Sequence, residues 1–446
     1  MKILFLEIDL EREWAVASLG PAFIGAFLRH HGHEVCVLRV PLELSSDRLI
    51  ARIREQSPDI LGLSLTSRQW LRARELVRAI RAELDIPVIA GGLHATFATE
   101  TILQSPGFDY ACLGEGELAM LELVEALEKS PRPLAGGLRN IWKSGGDRPE
   151  LRPPFEPIDE LPFMARDMLD ERYGVVHMST QRGCPFPCTY CAARQFNDLY
   201  GSYAAYGRRR SLQNVLEELS AIQSEGELNY VIFLDDTFTL NHAWVKTFCR
   251  NYGRYFGVPF SLHARVETVN QRMLEDLAEA GCRHITYGVE SGSERVRQEI
   301  MHRHASNAQF CEGFRWTRQA GILVTANYII GTPGETRADI EQTLSLHDDL
   351  APDDFGYFVF YPYPGTPLFH LCEREGYLPA NYYELPANHR RSILNLPGLS
   401  AQDIEDFYHR FTEVRERDHL ARLVEHGDSA QQQTVITQVA QSAAQG

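Results

Sequence analysis

The feature that most constrains this chain is an alternation of short apolar runs with amphipathic segments, which occurs twice along its 446 residues. Each apolar run has the length of a strand, and each intervening segment has the length and spacing of a helix. Strands joined by helices lie parallel, because a crossover of that length returns the chain to the same end of the sheet. The sequence therefore predicts an α/β protein with two successive parallel sheets.

The first alternation, over residues 1–130, predicts a Rossmann-like, doubly wound parallel sheet. Ligands bind to such sheets beyond the carboxyl ends of the strands. Glycines at these ends allow the backbone to come close to a bulky planar ligand, although for any one of them alone an ordinary turn is the better interpretation. The candidate binding residues at these ends are Ser64, Gly91, Gly92, Gly114 and Glu115.

Residues 131–172 are rich in proline and glycine and are predicted to be a linker. The second alternation, over residues 173–375, predicts six βα units in series, which form a partial TIM barrel that is open on one side. Residues 376–425 carry a helical pattern with many charges and predict a small helical C-terminal region. Residues 426–446 are rich in Gln, Ala and Ser and are predicted to be a disordered tail.

Three cysteines, Cys184, Cys188 and Cys191, form a CxxxCxxC pattern directly after the first predicted strand of the barrel. So short a loop can direct three sulfurs at one metal centre but cannot supply a fourth. Three thiolates suit a [4Fe–4S] cluster that leaves one iron open to an outside ligand, such as S-adenosylmethionine (SAM). A structural zinc site needs four ligands, usually in two separated pairs, and no second pair exists. An odd number of scattered cysteines disfavours a disulfide framework.

Charged residues follow two later strands of the predicted barrel, where active-site groups of βα barrels lie. Arg265 is well shaped to pair with the carboxylate of SAM. Glu290, beside Ser291, could accept hydrogen bonds from a ribose or an ammonium group. For each of these residues, a salt bridge or turn within the barrel is an equally good interpretation.

Two further strand ends carry candidate residues. The backbone at Gly331 and Pro333 could approach an adenosyl group closely. Asp235 and Asp236 could contact a substrate or cofactor, although carboxylates at such positions are often helix caps.

The cysteine pattern, with Tyr190 directly before the last cysteine, resembles the CxxxCxΦC signature of the radical SAM superfamily. The segments FLDDTF, HARVETV, YGVESGSERV, IIGTPGET and YPYPGTPL resemble the strand-end motifs of its cobalamin-type members. The segments PDILGLS, IAGGLHAT and DYACLGEGE resemble the cobalamin (B12)-binding domain that precedes many of these barrels. The resemblance covers roughly residues 1–375 and places Tyr190 in the SAM site.

This resemblance implies an enzyme that cleaves SAM to a 5′-deoxyadenosyl radical, which abstracts hydrogen from a small molecule. With cobalamin bound, it implies C-methylation in specialised metabolism, with methylcobalamin as the methyl donor. The alternative within the same class is a cobalamin-independent dehydratase, cyclase or epimerase whose first domain is vestigial. An alternative from another class is a non-catalytic cobalamin or iron–sulfur sensor. The sequence assigns no further catalytic residue.

The first domain departs from the cobalamin-binding pattern in one respect. The DxHxxG motif, whose histidine ligates cobalt, is missing, because Asp9 is followed by the residues LEREW. Cobalamin would therefore bind without a protein histidine on cobalt, or the pocket is empty. His94, in the predicted loop after the glycine pair, is interpreted as structural.

Charge and hydropathy limit the partners. A net charge of −16 argues against a general nucleic-acid surface. The run Arg208-Arg209-Arg210 is interpreted as a solvated helix entrance. No apolar run approaches the roughly 20 residues of a membrane span, and the N-terminus lacks a signal-peptide layout. We expect a cytoplasmic protein without membrane or nucleic-acid partners, which uses a small-molecule substrate and a reductant such as flavodoxin or ferredoxin.

Overall fold

A computed structural model describes residues 1–9, 18–130, 137–201 and 207–425. The chain divides into two compact units. The first unit comprises residues 1–170, 195–205 and 383–387, and the second comprises 171–194, 206–382 and 388–446. The predicted tail, 426–446, and the residues directly after Asp9 lie outside the described residues.

The first unit contains a six-stranded sheet in the order β2-β1-β3-β4-β5-β6. Its strands are β1 (Lys2–Ile8), β2 (Glu34–Val40), β3 (Ile60–Ser64), β4 (Val88–Gly91), β5 (Tyr110–Cys112) and β6 (Ile141–Lys143). All neighbours pair in parallel except β5 and β6, which are antiparallel. The strand order reverses at β1, so ligands are expected beyond the carboxyl ends of β1 and β3. The predicted Rossmann-like, doubly wound fold is confirmed.

Helices cover both faces of this sheet, and a separate apolar core fills each face. The helices are α1 (Leu19–His30), α2 (Ser46–Gln56), α3 (Trp70–Glu83), α4 (Gly92–Phe97), α5 (Thr99–Leu103) and α6 (Glu117–Lys129). Helices α1 and α6 line one core, and α2 and α3 line the other. This arrangement follows from the apolar spacing that predicted the helices.

The described residues of the predicted linker up to Asp170 fold as part of the first unit, to which they contribute a strand and core side chains. Of these residues, 141–143 form the edge strand β6. Leu161, Met164 and Met168 are buried in the core beside α1. The sequence did not predict these contacts. The core residues stand singly among prolines and glycines and follow neither a strand nor a helix period.

The second unit contains a six-stranded parallel sheet in the order β14-β13-β12-β11-β10-β7. Its strands, together with the short pair β8 and β9, are β7 (Val175–Met178), β8 (Gln181–Arg182), β9 (Arg208–Arg209), β10 (Tyr230–Phe233), β11 (Phe260–Ala264), β12 (Cys282–Glu290), β13 (Leu323–Ile330) and β14 (Asp354–Val359). Strands β7 and β14 are edges of this sheet, as expected for a partial barrel. The predicted (β/α)6 architecture is confirmed.

Helices follow these strands in sequence. They are α7 (Ala192–Leu199), α8 (Leu212–Glu225), α9 (His242–Tyr255), α10 (Gln271–Ala280), α11 (Asn307–Gln319), α12 (Arg337–Leu350), α13 (Pro367–Arg374) and α14 (Ala401–Glu425). The predicted helical C-terminal region is confirmed by α14. Its Phe407 and Phe411 pack into the core with Tyr328 and Phe355 of the sheet, so α14 covers the outer face of β13 and β14.

The interpretation of Arg208-Arg209-Arg210 as a solvated helix entrance is wrong. Residues 208–209 form β9, and the side chains of Arg208 and Arg210 are buried. The Arg210 guanidinium donates to the carboxylate of Glu218, at 2.5 Å, and to the backbone oxygen of Ser179, at 3.0 Å. In the sequence this run of arginines looks like a solvated surface. The carboxylate that neutralises Arg210 belongs to Glu218, two turns into the next helix, and the local pattern does not reveal this pairing.

Among the described residues, none of the helices combines the length and the apolar composition that a membrane crossing requires.

Replacement of Glu218 by Gln should lower the unfolding free energy of the second unit by about 3 kcal/mol, because it leaves the charge of Arg210 buried without its counter-charge. Urea denaturation followed by circular dichroism measures the change. The matched control is Glu217→Gln on the exposed face of the same helix, which should change stability by less than about 0.5 kcal/mol. Equal midpoints for the two variants would contradict the interpretation.

Candidate functional site

The cysteine loop follows β7 and is fixed to the neighbouring strand by Asp235. The Asp235 carboxylate accepts hydrogen bonds from the backbone N–H groups of Thr180, at 2.7 Å, and Gln181, at 3.0 Å. The Thr180 hydroxyl adds a third bond at 2.6 Å. Asp235 is almost fully buried, whereas Asp236 is exposed. Asp235 therefore holds the loop in place, and Asp236 is the member of the pair that a ligand can reach.

The three thiols of the loop interact with one another. Cys184 and Cys188 are buried and Cys191 is partly exposed, and none of them forms a disulfide. Burial and the charge of Asp236 raise the pKa of the Cys184 and Cys191 thiols, and the neighbouring Cys188 sulfur raises both further. These thiols are protonated when no metal is bound, and a bound iron would deprotonate them.

Arg265 points at the loop from the end of β11. Its Nη1 donates to the Cys188 sulfur at 3.1 Å, and its Nη2 donates to Glu267 at 2.6 Å. The guanidinium also lies over the Phe186 ring, 3.8 Å from its centre. Two of the guanidinium nitrogens are thus engaged by groups of the chain itself. The predicted pairing of Arg265 with the carboxylate of SAM therefore stays a prediction.

The donor set of the loop suits a cluster. Three thiolates hold a [4Fe–4S] cluster and leave one iron open to an outside ligand. The donor set, three thiols and an N–H donor aimed at one of them, fits a [4Fe–4S] cluster.

Tyr190 and Glu290 meet at Arg303, which the sequence did not single out. Arg303 donates to the Tyr190 hydroxyl at 3.3 Å and to the backbone oxygen of Gly288 at 2.5 Å, and lies 3.7 Å from the Glu290 carboxylate. Burial raises the pKa of Glu290, while Arg303 and the Tyr190 hydroxyl counteract the rise. The three side chains form one buried network beside the cysteine loop. No sequence signal distinguishes Arg303 from the surface arginines near it.

The Ser291 side chain is packed in the protein interior and is not accessible to a ligand. The side chain is fully buried, and its hydroxyl lies 3.4 Å from that of Thr343 on α12. A Cβ at the next residue, Gly292, would overlap the backbone of the same helix. The expectation that the Ser291 side chain contacts a cofactor has no support in this geometry, because the chain turns toward the helix layer at this point.

The strand end at Gly331 is closed by a carboxylate. Glu335 accepts hydrogen bonds from the backbone N–H groups of Gly331, at 2.6 Å, and Thr332, at 3.0 Å. Gly331 has a φ of +83° and Pro333 lies in the turn between the bonded groups. Burial raises the pKa of Glu335 to about 7, against the effect of the two N–H groups. The predicted approach of the backbone at Gly331 and Pro333 to an adenosyl group stays a prediction.

The candidate residues of the first unit lie at the carboxyl edge of its sheet. Ser64 ends β3 and Gly91 ends β4. Gly92 has a φ of +85°, and a Cβ there would lie 2.8 Å from the Leu65 backbone and 3.0 Å from the Ser64 hydroxyl. Leu93 is 40% exposed at this edge. Gly92 is therefore needed for the close packing of this edge against Leu65 and Ser64, and the binding prediction for Ser64, Gly91 and Gly92 stays a prediction.

The third strand end of this unit is covered by protein. The N–H of Glu115 donates to the Tyr200 hydroxyl at 2.9 Å, and the Glu115 carboxylate accepts from the N–H of Phe155 at 2.8 Å. A Cβ at Gly114 would overlap the Tyr200 hydroxyl. The binding prediction for Gly114 and Glu115 is thus the least supported of the five, because Tyr200 already takes the space that the glycine leaves.

His94 lies in α4 and not in a loop as predicted. Its ring is buried and stacks on Trp70, and its Nδ1 lies 3.0 Å from the Ser67 hydroxyl. Burial lowers the pKa of His94 to about 4, so the ring is neutral. A glycine pair before a helix of six residues resembles a loop in sequence, because so short a helix carries no readable period.

Comparison with known proteins adds the family. Residues 178–347 match the profile of the radical SAM superfamily, and residues 11–124 match that of the B12 binding domain. A protein of Pyrococcus horikoshii, described as "Uncharacterized methyltransferase PH0819", is 31% identical over 369 residues, which are 79% of this chain and 78% of that protein. The chain belongs to the radical SAM superfamily. The resemblance read from the cysteine loop and the strand ends is confirmed.

Two further similarities bear on the fold and the reaction. The chain is 25% identical to an anaerobic magnesium-protoporphyrin IX monomethyl ester cyclase of Rubrivivax gelatinosus, over 83% of this chain and 69% of that protein. The structure of the radical SAM methyltransferase TsrM from Kitasatospora setae superposes with a TM-score of 0.68 at 17% identity, over 84% of this chain and 75% of that one. The superposition bears on the fold alone. The matched profiles and the 31% identical relative make the chain an enzyme of the radical SAM class with a B12-type first domain, a class that uses a [4Fe–4S] cluster and SAM.

The raised pKa of Glu335 predicts a pH dependence of stability. The native carboxyl holds its proton up to about pH 7, whereas the unfolded carboxyl releases it near its ordinary value of 4.5. The unfolding free energy should therefore fall as the pH rises between these values, by about 2 kcal/mol from pH 5.5 to 7.5. Denaturation of the protein and of Glu335→Gln at several pH values measures this, and the variant should lose that part of the decline. Parallel pH profiles of the two proteins would contradict a protonated Glu335.

Proposed function

We propose that this protein is a cobalamin-dependent radical SAM methyltransferase that replaces a carbon-bound hydrogen of a small molecule with a methyl group. The observation that carries the proposal is the cluster loop, in which Arg265 directs an N–H at Cys188, on a chain that also matches a B12 binding domain. The similarity to a protein named as a methyltransferase over most of both chains supports it. Bound together, these cofactors supply reductive cleavage of SAM and transfer of its methyl group.

The residues of the chain bind and orient these groups. Cys184, Cys188 and Cys191 would hold the cluster, and Asp235 keeps their loop against β10. The buried network of Tyr190, Glu290 and Arg303 lies beside the loop, where Glu290 can accept a hydrogen bond from SAM. Burial of these polar groups excludes water, which protects a reactive radical from side reactions.

A second candidate function is a rearrangement, dehydration or cyclisation without methyl transfer. The specific observation in its favour is Tyr200, whose hydroxyl occupies the space above Gly114 where a ligand of the B12-type sheet was expected. The similarity to a cyclase points the same way. In that case the first unit would be a scaffold.

Anaerobic reconstitution separates the two candidates. The protein is incubated with iron, sulfide and hydroxocobalamin, desalted, and examined by its absorption spectrum and by 5′-deoxyadenosine formation with SAM and a reductant. Stoichiometric retained cobalamin together with 5′-deoxyadenosine supports methyl transfer. A cluster and 5′-deoxyadenosine without retained cobalamin overturns it in favour of the second candidate. Retained cofactors without 5′-deoxyadenosine would identify a sensor.

Replacement of Cys188 by Ala should abolish the cluster, because two thiolates cannot hold it and Arg265 loses the sulfur that it contacts. We expect loss of the visible absorption band and of 5′-deoxyadenosine formation, to below about one hundredth of the unmodified protein. Cys311→Ala is the matched control, since Cys311 is exposed on α11, and it should retain both signals. A cluster spectrum in the Cys188 variant would exclude the assigned ligand set.

A further inference from the structure

The barrel sheet of the second unit has one apolar and one polar face. Residues such as Leu262, Tyr287 and Tyr328 face the helices and form the apolar core. The alternate residues of the same strands face the lumen, because side chains of a strand alternate between its faces. These lumen residues include Tyr230, Ser261, His263, His284, Thr286, Thr325 and Asn327. An interior that only filled space would be built of branched apolar side chains.

Two of these polar groups lack partners. The Nε2 of His263 and the Oδ1 of Asn327 are buried atoms without a hydrogen bond to any described residue. Leaving a buried donor or acceptor unsatisfied costs about 1–3 kcal/mol. His284, on the strand between them, is satisfied, because its Nε2 bonds to the Thr325 hydroxyl at 2.7 Å. The two unsatisfied atoms therefore mark places where an outside molecule gains a bond that the protein does not make.

The register of the sheet brings these two residues to one part of the lumen. His263 pairs with Thr286 on β12, and Asn327 pairs with Gly288 on the same strand, two residues farther along. With strands about 4.8 Å apart and about 3.3 Å per residue, their Cα atoms are roughly 11–12 Å apart. Both residues lie on the lumen face of the sheet, because their neighbours on either side along the strand belong to the apolar core.

The pair lies next to the place where the chemistry is proposed. His263 stands two residues before Arg265, which contacts the Cys188 sulfur, and both lie on the lumen face. His263 is therefore roughly 7 Å deeper in the barrel than Arg265. Asn327 pairs with Gly288, one residue beyond the paired Ala264 and Tyr287, so it lies level with Arg265. The side chains of His263 and Asn327 are partly exposed, whereas the two unsatisfied atoms themselves are buried.

The surroundings favour an uncharged group. The lumen residues in register with the pair, Thr286, Gly288, Thr325 and Gly356, carry no charge. The charged side chains over Gly288 are Glu290 and Arg303, which lie 3.7 Å apart and pair with each other. Burial lowers the pKa of His263 to about 4, so its ring is neutral at pH 7. A buried ion without a counter-charge is costly, whereas a neutral donor and acceptor satisfy both protein atoms.

We propose that His263 and Asn327 bind an uncharged polar group of the substrate, such as a carboxamide, a hydroxyl or a heterocyclic N–H, inside the barrel lumen. An N–H or O–H of this group donates to the Asn327 oxygen, and a second polar atom bonds to the His263 Nε2. The pair thereby selects substrates that carry such a group. The inference rests on the proposed function for the position of the reaction.

The test measures binding without SAM or reductant, so its result does not depend on the reaction. Nicotinamide and nicotinate, which share a shape and differ in charge, are titrated into the cluster-reconstituted protein by ligand-observed NMR. Nicotinamide should bind at least about tenfold more tightly than nicotinate. Asn327→Leu and His263→Phe should each weaken nicotinamide binding by about 5- to 30-fold, the effect of one buried hydrogen bond.

Two further variants keep the result interpretable. His284→Gln alters a partnered lumen histidine and should leave nicotinamide binding within about twofold. Gly356→Ala places a Cβ 2.6 Å from the Asn327 oxygen, so it displaces Asn327 without removing it and should weaken binding as Asn327→Leu does. The cluster absorption band verifies folding of each variant. Equal affinity for the two probes, binding of neither probe, or an equal loss in His284→Gln would overturn the proposal.

Discussion

The hydrogen bonds of Asp235 are the interaction on which the site of the second unit depends. The loop that carries three cysteines has little regular structure, so holding it in one shape carries a large entropic cost. A buried carboxylate that accepts two backbone N–H groups and the Thr180 hydroxyl fixes the start of the loop to β10. From there the positions of Cys184 and Cys188 follow, and Arg265 on the next strand meets a sulfur that is already in place.

The two faces of the sheet in this unit differ in role. The face toward the helices carries the apolar core, and the face toward the lumen carries polar groups. Toward the helices, aromatic side chains such as Phe233, Phe248 and Phe260 pack edge to face, and α14 extends the same layer over β13 and β14. This layer buries enough apolar surface for the other face to carry polar groups whose burial is unfavourable. The stability of the outer layer therefore offsets the unfavourable burial of polar groups in the lumen. A ligand that forms hydrogen bonds with these groups reduces that unfavourable free energy.

Local patterns predicted most of the fold, and contacts between distant residues account for what they missed. The strands of both sheets were found by periodicity except β6, which has three residues and an edge position. The cysteines were found because their spacing is local. Arg303 was missed because it stands 113 positions from Tyr190, and the buried position of Arg210 depends on Glu218 of the next helix. A charged side chain reveals its partner only in the folded chain.

Glu290 shows how the backbone itself shapes this site. It has a φ of +69°, which costs a residue other than glycine roughly 1–2 kcal/mol, and the register of β12 and β13 shifts beside it. The irregularity turns the Glu290 carboxylate back over Gly288, where a Cβ would overlap it. There it meets Arg303, which also binds the Gly288 oxygen. The strained backbone of Glu290 is retained because Gly288 leaves space for its carboxylate and Arg303 pairs with its charge. As a result, the Glu290 carboxylate faces the site.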